Sequence, residues 1–311
     1  MIKTKVQHHL EVTDLTADEL HQLLDEAAVL KKQHHEKLIN KELEGQTLAM
    51  IFDKSSTRTR VSFEAGMTQM GGHAIFLSPE DTQIGRGESA ADTARVLSGY
   101  VDAVMIRTFS HEMVEEFAAY SSVPVINGLT DTHHPTQVLA DLLTIKEQKG
   151  TLQGLTAAFT GDGYNNMTHS LMQGMALAGI DFRVACPAGY EPDQTISEKA
   201  SALAAAHGGS LMITKDTEEA VTGADVLITD VWASMGMEAE AETRKKTFMP
   251  YQINTELASL AADDYIFMHC LPAHRGEEVT AAVIDGAHSV VFDEAENRLH
   301  AQKALLKKLM I

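Results

Sequence analysis

An alternation limits the folds open to this chain more than any other feature. Short apolar runs of strand length are each followed by a stretch with helical spacing, from residue 48 almost to the end. The expected strands are Leu48–Phe52, His73–Leu77, Ala103–Ile106, Val123–Ile126, Ala157–Phe159, Phe182–Ala185, Leu211–Ile213, Val226–Ile228, Tyr265–Met268 and Val290–Phe292. Helices are expected after Arg60, from Glu88 to Leu97, from His111 to Tyr120 and from Pro135 to Gln148, then from near Asn166, Asp193 and Glu218. A last one is expected over Glu294–Lys308. Ahead of the series, Thr16-Ala17-Asp18-Glu19 is a capping box that opens an amphipathic helix through Leu20, Leu23, Leu24, Ala27 and Leu30. Strands that alternate with helices pair in parallel, because a parallel neighbour is reached only by a crossover.

At roughly 150 residues per domain, 311 residues suggest two domains, each with its own core. Lys149-Gly150 ends one helical stretch and is the expected boundary. The expected architecture is α/β, with two doubly wound parallel-sheet domains and an active-site cleft between them. Residues 1–149 form the first, with the C-terminal helix 294–311 packing back on it, and 150–293 form the second. Such sheets bind ligands at the carboxyl ends of their strands, so residues that carry chemistry should lie just after strands.

Charge narrows the partners. Lys and Arg number 25 against 44 Asp and Glu, a net charge of −19, which argues against nucleic acid and anionic membrane. An anionic substrate therefore has to be drawn in by a local basic pocket. Cys186 and Cys270 are no disulfide framework for a chain this long, so a reducing cytoplasm is the expected home. The first residues lack the apolar core of a signal peptide, and no apolar run reaches the roughly 18 residues of a membrane span.

The strand ends are loaded as expected. After Leu48–Phe52 come Ser56, Thr57, Arg58, Thr59 and Arg60, where a helix begins and unpaired N–H groups and the helix dipole favour an anion. Arg58 suits a bidentate grip on phosphate. Threonines alternating with arginines favour that reading over a solvated turn, and without Gly-Lys-Ser/Thr this is not a nucleotide P-loop. Arg107 follows the expected strand Ala103–Ile106, as either a surface cation or, at a buried strand end, an anion or carbonyl contact. His134 and Gln137 open a helix together, as a ligand pair or as a cap and a solvent-facing amide. Asn166, after a glycine-containing turn that is not G-x-G-x-x-G, suits an amino-acid carboxylate. Asp230 and Ser234 could receive an ammonium, with a helix cap as an even alternative for Asp230. His269, Cys270 and His274 fit no familiar zinc spacing, and nothing local fixes a base for a nucleophilic cysteine.

Ser56-Thr57-Arg58-Thr59-Arg60, His134-Pro135-Thr136-Gln137, Asn165-Asn166, Asp230 to Gly236, His269-Cys270-Leu271-Pro272 and Glu296-Asn297-Arg298 together resemble the signature motifs of the aspartate/ornithine carbamoyltransferase family, in the family's order and over nearly the whole chain. Asp53 departs from the glutamate expected before the phosphate loop but keeps its charge. The resemblance implies a carbamoyl phosphate site of Ser56, Thr57, Arg58, Thr59, Arg107, His134, Gln137, Cys270, Leu271 and Arg298, with Gln83 reaching in from a neighbouring subunit. It implies an ornithine site of Asn166, Asp230, Ser234 and Met235, with Arg107, His134, Cys270 and Asp230 nearest the chemistry. It further implies L-ornithine as acceptor, a homotrimer or a multiple of trimers, and no metal or other cofactor. A putrescine carbamoyltransferase and a non-catalytic phosphate-ligand binding module are the rival readings. Asp230 to Gly236 opposes the first, since a diamine has neither α-ammonium nor carboxylate. The joint presence of phosphate, carbamoyl and amine motifs opposes the second.

Overall fold

The computed structural model describes residues 7–79, 87–233 and 238–311. Two units result: residues up to Ala140 with Asn297–Ile311, and Asp141–Glu296. The first holds α1 (Ala17–His35), β1 (Thr47–Phe52), α2 (Thr57–Gln69), β2 (His73–Leu77), α3 (Ala90–Leu97), β3 (Ala103–Arg107), α4 (His111–Tyr120), β4 (Val125–Leu129) and the start of α5 (Pro135–Lys149). The second continues with β5 (Thr156–Thr160), α6 (Asn166–Leu177), β6 (Asp181–Ala185), α7 (Gln194–His207), β7 (Leu211–Thr214), α8 (Thr217–Val221) and β8 (Val226–Thr229). It ends with α9 (Ala241–Phe248), α10 (Thr255–Ala258), β9 (Ile266–His269), α11 (Ala281–Ile284) and the start of α12 (Val291–Met310). The division falls inside α5 and α12, whereas the sequence placed it where α5 ends, at Lys149-Gly150.

Both sheets are parallel, in the orders β2-β1-β3-β4 and β7-β6-β5-β8-β9. In each, the order reverses about the first strand, between β1 and β3 and between β5 and β8. At those switch points successive crossovers leave towards opposite faces and open a crevice beyond the strand carboxyl ends. Phe52 pairs with Arg107 at the first, and Phe159 with Ile228 at the second. The strands read as continuous apolar runs because helices cover both faces. In the first unit Ala49, Ile51, Val104, Ile106 and Val125 pack against Ala94 and Phe117. In the second Ala158, Leu227 and Phe267 pack against Val221, Leu257 and Val283.

Two expected elements are corrected. The fourth strand begins at Val125 rather than Val123, since Pro124 has no N–H to donate and supplies only its carbonyl, to Val104 N at 2.9 Å. It runs on through Gly128, where a Cβ would meet Met105 Sδ at 2.5 Å, so a larger residue there would have to displace the buried Met105 side chain. Val290–Phe292 is not a strand. Val290 N donates to Phe267 O at 3.0 Å, and α12 starts at the next residue. The apolar run looked like a strand, yet its burial is helical: Val291 is buried, Phe292 is 73% exposed and Glu294 is buried again.

Candidate active site

Helix α2 begins earlier than the sequence suggested, at Thr57, so Thr57, Arg58 and Thr59 occupy its first turn rather than the loop before it. Ser56 is the N-cap. Its hydroxyl oxygen accepts from Thr59 N at 3.2 Å, and its O–H donates to Thr59 Oγ1 at 3.1 Å. The remaining first-turn N–H groups lie at the positive end of a thirteen-residue helix, beside switch-point residue Arg107.

Arg298, on α12, is buried and ties this turn to the start of α5. One guanidinium nitrogen donates to Thr59 Oγ1 at 2.9 Å and another to Gln137 Oε1 at 2.7 Å. Arg107 is buried too, and its carbonyl accepts from Asp53 N at 2.8 Å. Asp53 in turn accepts from Thr108 Oγ1 at 2.6 Å, so the shorter acid is held by the strand pair itself. His134 is fully enclosed. Burial, and then the charges of Arg298, Arg107 and Arg58, push its pKa well below the ordinary histidine value, so the ring is neutral. Ser56, Thr57, Arg58, Thr59, Arg107, His134, Gln137 and Arg298 all belong to this unit, and the field of three guanidiniums falls on one neutral imidazole.

Arg60 is occupied elsewhere. It pairs with Glu64 at 2.9 Å and stacks 3.7 Å from the Phe76 ring centroid, on the exposed side of the helix. Lys54, which nothing in the sequence singles out, is buried, paired with Asp131 and 4.2 Å over the Phe109 ring. Its burial comes from the strand–loop geometry, which the Asp53-Lys54 dipeptide does not encode.

In the second unit Asn165 is the cap of α6, its side chain accepting from Thr168 N at 2.8 Å, so Asn166 is the asparagine presented on the first turn. The glycine turn before it is a packing device. A Cβ at Gly163 would meet Tyr190 O at 2.5 Å and Cys186 Sγ at 2.9 Å. Asp230 is buried at the end of β8, and accepts from Val231 N at 2.8 Å and from the Cys270 thiol at 3.2 Å. Burial raises the Asp230 pKa, so the carboxylate gains from any cation that arrives. Burial and then the Asp230 charge push the Cys270 thiol well above its usual range, so it is protonated, a donor and not a nucleophile.

A buried acid missed in the sequence, Glu278, organises the next turn. Glu278 Oε1 lies 3.1 Å from His269 Nε2 and accepts from His274 N at 2.6 Å. His269 Nδ1 accepts from Leu271 N at 2.9 Å, which makes Nε2 the protonated nitrogen, donating to Glu278. The Leu271 N–H is thereby used within the protein. Leu271 also has φ +57°, the left-handed region that a branched residue enters only under constraint. In the sequence Glu278 lies in a polar stretch that reads as surface. Gln83, Ser234 and Met235 fall outside the described residues.

The first unit thus offers an arginine-rich pocket for an oxyanion, and the second a buried acid beside a protonated thiol, suited to an ammonium group: an α/β protein for an anionic and an amino ligand. Residues 7–147 match the family described as aspartate/ornithine carbamoyltransferase, carbamoyl-P binding domain, and residues 153–309 match its Asp/Orn binding domain. Among curated relatives, ornithine carbamoyltransferase of Carboxydothermus hydrogenoformans is 60% identical, covering 97% of this chain and 96% of its own length. That of Bacillus subtilis is 57% identical, covering 97% and 93%. The solved ornithine carbamoyltransferase of Pyrococcus furiosus is 54% identical and superposes with a TM-score of 0.95 over 98% of this chain and 97% of its own. The chain belongs to the aspartate/ornithine carbamoyltransferase family.

Proposed function

We propose that the chain transfers the carbamoyl group of carbamoyl phosphate to the δ-amine of L-ornithine, giving L-citrulline and phosphate. Residues 1–149 with 294–311 bind carbamoyl phosphate, and 150–293 bind ornithine. Ser56, Thr57, Arg58, Thr59, Arg107 and Arg298 hold the phosphate, with Gln83 contributed by a neighbouring subunit. His134, Arg107 and Thr59 receive the carbamoyl oxygen; Gln137 and the backbone carbonyls of Cys270 and Leu271 accept from the carbamoyl amide. Asn166 and Met235 take ornithine's carboxylate, and Asp230 and Ser234 its α-ammonium.

The observation that carries the choice of acceptor is Asp230, buried with a raised pKa beside Cys270. An amino acid with an α-ammonium stabilises this acid, while a second carboxylate, as in aspartate, would be repelled by it. The neutral δ-amine attacks the carbamoyl carbon. The new C–N bond forms as the C–O bond to phosphate breaks, and the amine's proton leaves with the phosphate. Charge on the carbamoyl oxygen is met by guanidiniums and by the neutral His134, each donor worth roughly a hundredfold or more. The free amine resembles lysine, with a pKa of about 10.4, so near pH 7 about one part in a thousand is nucleophilic. Activity at unsaturating ornithine therefore rises with pH into the alkaline range; a flat profile from about pH 6 to 9 excludes direct attack by the neutral amine. Among the described residues no helix is long and apolar enough to cross a membrane. A cytoplasmic homotrimer, or a multiple of trimers, completes the reading.

The test is citrulline formation from carbamoyl phosphate with ornithine, set against putrescine, aspartate and N-acetylornithine. Turnover of ornithine alone, lost in Arg58→Ala, is the expected result. Turnover of another amine keeps the phosphate pocket and overturns the role of Asp230.

A further inference from the structure

Glu11, His111 and His133 meet in the first unit, and none of them belongs to the carbamoyl phosphate or ornithine sites. Each offers one metal-ligating atom, and these atoms lie within 4.8 Å of one another. Glu11 Oε1 faces both rings, 3.6 Å from His133 Nε2 and 3.9 Å from His111 Nε2, while Glu11 Oε2 accepts from Thr13 Oγ1 at 3.3 Å. Both separations exceed a hydrogen bond and come near the roughly 3.4 Å that two ligands span around a tetrahedral zinc ion.

The surroundings suit ligation. Thr130 Oγ1 lies 3.1 Å from His111 Nδ1 and can accept from an Nδ1–H, the tautomer that ligation through Nε2 requires. His111 Nε2 then carries the lone pair, and it is buried with no hydrogen-bond partner. The same Thr130 oxygen accepts from His133 N at 3.1 Å, which fixes the second histidine's backbone. A polar group that orients the ligating ring from behind is the usual outer shell of a metal site.

We propose that Glu11, His111 and His133 bind a borderline divalent transition-metal cation, with Zn²⁺ as the representative ion. Two imidazoles and one carboxylate suit such a cation better than Mg²⁺ or Ca²⁺, and leave a fourth position for water. Because His133 precedes His134, the bound cation also braces the turn that presents the carbamoyl-binding histidine.

Co²⁺ is the probe. It is titrated into the chelator-stripped full chain carrying Cys270→Ala, because Asp230, His269 and Cys270 also lie within ligating distance of one another. The expected result is one equivalent bound, with ligand-field absorption and no thiolate charge-transfer band. Thr130→Val weakens it roughly ten- to a hundredfold, and His133→Phe abolishes it. If the histidine variants misfold, Glu11→Gln, at a partly exposed carboxylate, decides; at least tenfold weaker binding is expected. No bound cobalt in the Cys270→Ala chain, or unchanged affinity in Glu11→Gln, overturns the proposal.

Discussion

In the first unit the ionisable groups at the candidate site are cations fixed by neutral partners: Arg298 is spread between the Thr59 hydroxyl and the Gln137 amide, and His134 is kept neutral among guanidiniums. In the second they are acids held by weak donors, as with Asp230 against a thiol and an amide N–H. One region stores positive potential that a phosphate can discharge without rearrangement. The other stores a desolvated carboxylate that an ammonium relieves. The contrast teaches that two parallel sheets, each reversing its order about its first strand, can be tuned to opposite charges by the side chains at their strand ends.

The contrast is broken most severely at Arg107. Arg107→Met is expected to lower kcat/KM for carbamoyl phosphate by roughly a thousandfold, read in steady-state assays at saturating ornithine. Asp230→Asn comes next, with the KM for ornithine rising about a hundredfold, close to 3 kcal/mol, while carbamoyl phosphate binding by calorimetry stays unchanged. Equal losses for both substrates would show that the regions are not separable in this way.

Acid sharpens the comparison, because the units should respond with opposite sign. His9 is fully buried in the first unit, and burial lowers its pKa from 6.5 to about 4. The unfolded chain takes up that proton first, so the contribution is intact above about pH 6.5, declines as pH falls, and is lost by about pH 4, up to about 3 kcal/mol. Asp230 and Asp162 in the second unit have raised pKa values, chiefly from burial. Their folded forms bind protons more readily than the unfolded chain does, so the same acidification is favourable there. Hydrogen exchange at pH 5 and 7, normalised for intrinsic rates, should show protection falling in the first unit relative to the second, and His9→Leu should narrow the gap.

Two smaller effects complete the series. Cys186, pushed up to about 12 by burial, and Cys270 should both alkylate more than tenfold slower than free cysteine at pH 8. Arg60→Ala should cost less than about 1 kcal/mol in thermal unfolding and leave turnover unchanged. A loss comparable to that in Arg58→Ala would mean that Arg60 leaves Glu64 and Phe76 to serve the ligand.

Most strands and the strand-to-helix turn at Ser56–Thr59 were legible because both are local. Apolar runs of strand length give the sheets, and hydroxyls just after a strand give the cap that opens α2. Val290–Phe292 misled because a short apolar run has no period of its own, and the exposed Phe292 shows its helical phase only once the helix is present. Glu278, Lys54 and the use of the Leu271 N–H were not legible. Each depends on a partner that folding brings close, His269 for Glu278 and Asp131 for Lys54, with nothing in the neighbouring residues to announce it.

The sharing of α12 between units bears on the order of synthesis. Arg298, which fastens Thr59 to Gln137, belongs with the first unit but leaves the ribosome only after all of Asp141–Glu296 has been made. A nascent chain can therefore finish Asp141–Glu296 first, while the Thr59–Arg298–Gln137 contacts form only once residue 298 has been made. Any product cut short before residue 298 would lack that fastening of Thr59 to Gln137.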